Sequence, residues 1–417
     1  MKRSLSLVAV AVGGSLLLTL ASGYAQEKTL IIGGLQELTG PLSASAPAMT
    51  KAVNLAVQEA NKATAAAGLA WTVKEESADT QGDAQAALSA ARTLVDKGAS
   101  CLVGPGTTPE SIAIAKGLTI QKKVILLPQA TSGRLTAFKP EADDTIFRTV
   151  PPDNLQGQAL ADAVESFLGT AKGKTVSVAY RNEPYGEGLA KEFVADWQGK
   201  GGRIDGPIAF DPNQATFDSE AGKLVAGNPD AYFIVDYPDS YVKMGAALLR
   251  TGKFDAKKLF VPDVLAFTEI PKSIPAASLE GAKGARAGSP ETTAAYKAFD
   301  QLWKAAGGVE RYSLDTNTFD ATLVCFLAAV AAKSTDPSAI KAQVRAVTGP
   351  PGEKFNFTRL ADAIKALQGG QKIDFEGASG PLDLDKNGDP TTSLYDIFQF
   401  KNGRLEVIRQ VEAKKGQ

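Results

Sequence analysis

Acids, threonines and tyrosines at the ends of strand-like runs are the residues best placed to do chemistry, because the chain has no histidine. That absence removes Ser–His and Cys–His nucleophile pairs, imidazole acid–base catalysis and the commonest transition-metal ligand. No enzyme is expected, and no catalytic residue, cofactor or metal is assigned. In AYRNEPYGEGLAKEFVADW, residues 179–197, a strand-like run meets Tyr185, Gly186 and Gly188 before a helical pattern begins. A phosphate loop needs GxxxxGK[ST], and a nucleophile elbow needs a serine or cysteine with a histidine partner. Neither is present, which leaves Tyr185 as an aromatic wall at a strand-to-helix turn, where α/β proteins bind ligands.

Three other turns carry polar groups. In GPGTTPESIA, residues 104–113, Thr107 and Thr108 stand where a helix begins. Free N–H groups there attract a carboxylate, or one threonine simply caps the helix. In LPQATSGRLT, residues 127–136, Ala130 and Thr131 follow a strand, as a ligand loop or a polar turn. Asp236 beside Tyr237 in IVDYPD, and Asp263 in VPDV, end two further strands. If both acids point inward they favour a cationic or amide-bearing ligand; otherwise Asp236 caps a helix. The run LDLDKNGDP begins like a calcium loop, but Leu394 stands where the bidentate glutamate belongs, so a tight turn at Asn387 and Gly388 is expected instead.

The elements that must position these turns alternate in type. Strand runs such as TLIIGG, SCLVG, KVILL, TVSVAY and DAYFIVD are separated by helical patterns, which implies parallel sheets covered on both faces. The series runs twice, so the expected fold is α/β, with two doubly wound Rossmann-like lobes in tandem. Helices are expected over residues 291–306 and 320–333, with a further helical stretch through Ile364 and a terminal hairpin. The glycine- and alanine-rich stretch 281–288 reads as a linker.

The chain has 417 residues and a net charge of −1, so nucleic acid is not an expected partner. Lys2 and Arg3 precede an apolar run from Leu5 to Leu20 and small residues at Gly23 and Ala25, the layout of a secretory signal spanning residues 1–25. A periplasmic, monomeric protein follows. In that compartment Cys101 and Cys325 are free to pair, the alternative being two buried thiols.

Taken in order, ELTGPLSASA, NLAVQEAN, ADTQGDAQAALSAARTLVDKGASCLVGP, LPQATSGRLT, FRTVPPDNLQGQALAD, AYRNEPYGEGLAKEF, NPDAYFIVDYPD and FEGASGPLDLDKNGDP resemble the type I periplasmic binding proteins of branched-chain amino acid ABC transporters. The resemblance implies a flytrap of two lobes joined by three crossover strands, near Arg148, Gly284 and Gly380. Lobe 1 would be residues 28–147 plus 289–379, and lobe 2 residues 148–288 plus 380–417. It also implies that the turn at Thr107 and Thr108 holds the ligand carboxylate, that the Ala130 carbonyl receives the ammonium, and that Thr131 binds both. Asp263 matches an acidic contact that is usually glutamate. Tyr185 covers the ligand, and Ser45 stands where some relatives place a larger aromatic, leaving more room. The implied function is capture of an amino acid or close analogue for a membrane ABC permease. A sensor of the same fold, or a binder of amides, urea or aromatic acids, is the alternative.

Overall fold

The computed structural model describes residues 27–138 and 144–414. The expected signal, residues 1–25, lies outside them. Two parallel-type sheets dominate. The first has strand order β2-β1-β3-β4, formed by β1 (Lys28–Gln36), β2 (Trp71–Asp79), β3 (Ala99–Val103) and β4 (Ile125–Leu127). All pairs in it are parallel. β3 and β4 are buried throughout, as continuous apolar runs must be when helices cover both faces.

One face of this sheet packs on Ala46–Ala67, Asp315–Ala332, Pro337–Val347 and Leu360–Gln368, and the other on Ala84–Asp96 and Thr108–Ile114. Asp315–Ala332 is apolar nearly all round and is buried from Asp315 to Val330, so it is a central core helix. Cys325 lies on it and forms a disulfide with Cys101 of β3.

The second sheet has strand order β14-β13-β9-β8-β7-β5-β6. Its strands are β5 (Thr175–Arg181), β6 (Arg203–Phe210), β7 (Ala231–Val235), β8 (Leu259–Val261), β9 (Lys283–Ala287), β13 (Thr392–Lys401) and β14 (Arg404–Lys414). β5 to β9 pair in parallel, whereas β13 and β14 add an antiparallel hairpin at one edge. Helices Asp153–Leu168 and Pro184–Gly199 cover one face, and Asp218–Leu224 and Pro238–Arg250 the other. A small third sheet joins β10 (Glu353–Phe355), β11 (Ile373–Gly377) and β12 (Gly380–Pro381).

Several sequence expectations need correction. Residues 281–288 are no linker, because Lys283–Ala287 is the interior strand β9. A Cβ on Gly284 would lie 2.2 Å from the Val261 carbonyl and 2.5 Å from Phe398, so small residues are needed there for close strand packing. The buried helix begins at Asp315 rather than at residue 320. The stretch expected to stay helical through Ile364 is broken by β10 after Gly349, Pro350, Pro351 and Gly352. The long terminal hairpin turns at Asn402 and Gly403, both with positive φ; Asn387 and Gly388 form a separate short turn whose N–H groups bond to Asp385.

Candidate functional site

Loops from both sheets converge on one cavity. From the first sheet's side come Ser45, Met49, Gly106, Gln129, Thr131, Tyr312 and Leu314; from the second come Tyr185, Tyr237, Asp263 and Val264. Three contacts bridge the cleft. The Ser132 hydroxyl donates to the Pro184 carbonyl at 2.9 Å, the Tyr312 hydroxyl to the Val264 carbonyl at 3.1 Å, and Arg134 pairs with Glu187.

The aromatic wall is a stack. Tyr185 lies in the first turn of Pro184–Gly199, parallel to Tyr237 with ring centroids 5.1 Å apart and planes 7° from one another. Gly186 and Gly188 are inside this helix, and what they supply is space rather than a turn. A Cβ on Gly186 would meet the Arg181 carbonyl at 2.1 Å, and one on Gly188 the Ser132 hydroxyl at 2.6 Å. The Arg181 guanidinium sits 3.8 Å from the Tyr237 centroid.

Arg181 explains where Asp236 goes. Its Nη1 lies 3.5 Å from Asp236, which also accepts from the Tyr237 N–H at 2.9 Å and from the Ser240 hydroxyl. Asp236 is fully buried behind Tyr237 and is absent from the cavity lining, and its contacts are with the start of Pro238–Arg250. Burial raises its pKa to about 7, with Arg181 and Ser240 opposing that rise.

Asp263 does face the cavity. One oxygen accepts from the Val264 N–H at 3.0 Å, and burial raises its pKa while Gln156, the Val264 and Asp263 N–H groups and Tyr185 draw it down. Asp153 is enclosed behind Thr131, and its N–H donates to the Thr131 carbonyl at 2.8 Å. Neither of its carboxyl oxygens completes a hydrogen bond. Burial raises its pKa to about 8; the Thr131 hydroxyl opposes that, and the charge of Asp263 adds to it.

The turn at residues 104–108 departs furthest from expectation. Thr107 caps its helix in a reciprocal box with Glu110, its hydroxyl 2.5 Å from that carboxyl. Neither Thr107 nor Thr108 lines the cavity. The free N–H groups of Gly106 and Thr107 donate to Glu37, at 2.8 and 3.1 Å. A carboxylate of the protein thus fills the anion position. Burial first, then contact with Glu37, raises the Glu110 pKa to about 10, so Glu110 is protonated at neutral pH. Ala130 is also turned away from the cavity: its carbonyl accepts from Arg148 at 3.3 Å. Ser45 remains at the edge, half-buried, its hydroxyl donating to the Leu42 carbonyl.

Sequence reading missed Glu37, Gln129, Asp153, Tyr312 and the pair Arg148–Asp389. Arg148 is fully buried; its Nε donates to Asp389 at 2.7 Å and its Nη1 to the Ser132 carbonyl at 3.0 Å, so it fixes the loop that carries Thr131. The arginine within FRTVPPDN is the one local signal for it. Among the described residues no group of acids or cysteines is arranged to hold a metal ion.

A family model described as "Periplasmic binding protein" matches residues 29–404. The chain is a type I periplasmic binding protein of the branched-chain amino acid family. This binding protein is 28% identical to the Leu/Ile/Val-binding protein homolog 3 of Brucella melitensis, over 93% of its own length and 95% of the relative's. It is 25% identical to the substrate-binding protein BasB of a chemotactic signal transduction system in Halobacterium salinarum, covering 90% and 88% of the two chains. Its backbone matches the leucine-binding protein LivK of Thermotoga maritima with a TM-score of 0.75 at 22% identity, over 92% and 98% of the chains. The binding protein therefore belongs to an extracytoplasmic family of solute receptors.

Proposed function

We propose that this protein captures an amino acid or a close analogue in the interlobe cavity and delivers it to an ABC permease without turning it over. The observation that carries this reading is that Asp263 and Thr131, from opposite sides, line one tyrosine-walled cavity built by loops of both sheets. An ammonium group leaving water needs such a counter-charge, because burying it unpaired costs several kcal/mol. A secretory signal at residues 1–25 would place the mature receptor in the periplasm.

Residues 28–147 plus 289–379 would move as one lobe and 148–288 plus 380–417 as the other. A ligand that touches both shifts the equilibrium towards closure. Saturating ligand should therefore lower the radius of gyration in small-angle scattering, and an unchanged value would argue for a rigid module. Thr131→Ala and Asp263→Asn should each weaken binding at least tenfold in calorimetry, with the ligand-free melting temperature nearly constant. Unaltered affinity in both would remove this site.

The likeness to BasB supports a second reading, a sensor that presents its closed state to a signalling partner. Loss of ligand uptake in a strain lacking the protein supports the permease, whereas loss of attraction with normal uptake supports the sensor.

A further inference from the structure

Carboxyl groups gather around the cavity. Asp263 lines it directly, Asp153 stands behind Thr131, and Glu37 lies against Gly106, where an added Cβ would come within 2.9 Å of its Oε2. Among the described residues that line the cavity, none is lysine or arginine. The guanidiniums of Arg148 and Arg181 are engaged elsewhere, Arg148 on Asp389, and Arg181 on Asp236, Glu183 and Asp239, while Arg311 pairs with Asp315 and Arg134 with Glu187.

A ligand carboxylate needs a cation or a set of unoccupied donors, and the unpaired hydroxyls of Tyr185 and Ser313 supply no positive charge to balance it. The N–H groups of Gly106 and Thr107 already donate to Glu37, whose carboxyl occupies the place a ligand carboxylate would take there. The cavity does offer tyrosine faces, from Tyr185, Tyr237 and Tyr312, which attract an organic cation that has shed its water. The raised pKa values of Asp153 and Asp263 mark carboxyls that an incoming positive charge would stabilise in ionised form.

We infer that the ligand is an organic ammonium ion lacking a carboxylate, seated against Asp263 and the tyrosine rings, with Glu37 excluding the α-carboxylate of a free amino acid. This rests on the receptor reading above and selects the analogue over the amino acid itself.

The test is calorimetry on the purified protein with leucine, leucinamide, 3-methylbutylamine, choline and benzoate, which vary the charge while keeping the size comparable. At least one of the three carboxylate-free cations should bind tenfold or more tightly than leucine and benzoate. Glu37→Ala frees the two N–H groups and should narrow the preference over leucine by at least tenfold. Glu37→Gln, which keeps an acceptor for those N–H groups while removing the charge, should narrow it in the same direction and serves if the alanine variant does not fold. Leucine or benzoate binding more tightly than every cation overturns this inference and leaves the receptor reading standing. An unchanged preference in a folded Glu37 variant overturns the role of Glu37. Binding of none of the five by protein with a normal melting transition overturns both the inference and the receptor reading.

Discussion

Removing the link between Cys101 and Cys325 should loosen the first sheet without touching the cavity. The two residues are 224 positions apart in sequence, and the loop between them contains β5 to β9 of the second sheet. On the chain-entropy account, closing a loop of that length raises the free energy of the unfolded chain by about 5 kcal/mol, compared with about 3 kcal/mol for a 15-residue loop. That is large beside a total stability of about 5–15 kcal/mol. The variant to make is Cys101→Ala with Cys325→Ala, since a hydroxyl at either wholly buried site would add the cost of an unpaired polar group. Unfolding wild type in reductant and refolding it gives a second comparison that leaves no cavity. Trp71 and Trp303 both pack against this core, so their fluorescence reports the transition in urea. Loss of several kcal/mol in both cases, with ligand affinity unchanged, is the expected result. A loss below about 1 kcal/mol in both would refute the entropy argument, and two alkylatable thiols in unfolded, unreduced protein would refute the bond itself.

Asp389→Ala should cost about 3–5 kcal/mol, because it leaves the buried Arg148 without its counter-charge, and Arg148→Met with Asp389→Leu should regain much of that in urea titrations. Equal losses in the single and double variants would show that the pair itself is not the cause. The ligand-free melting temperature should fall as the pH rises from 5 to 9. The pKa of Asp153 in the folded state, about 8, lies above the ordinary carboxylate value of 3.8, so its stability contribution is full below that ordinary value and is lost as pH approaches 8. Each such group contributes a slope of about 1.4 kcal/mol per pH unit inside its window. Asp236 and Asp320, both near 7, act in the same direction, so Asp153→Asn should flatten the decline without abolishing it. Identical slopes in wild type and variant would show that Asp153 ionises normally.

The alternation of apolar runs and amphipathic helices determined the α/β class, the doubling of the architecture and most helix positions, because those signals repeat within a dozen residues. Local chemistry also located Tyr185, Tyr237, Thr131 and Asp263 at the ends of strands, where the cavity forms. Only the tertiary structure decided which polar groups face the cavity. Glu37 reaches Gly106 across 69 positions, and Arg148 reaches Asp389 across 241. Asp236 looked equivalent to Asp263 in sequence, yet Arg181 draws it behind Tyr237. Strand order decided the rest: the glycines near residue 284 resemble a linker until neighbouring strands close on them from both sides. A buried charge takes its partner from whatever the fold brings within a few ångströms, and separation along the chain carries no record of that choice.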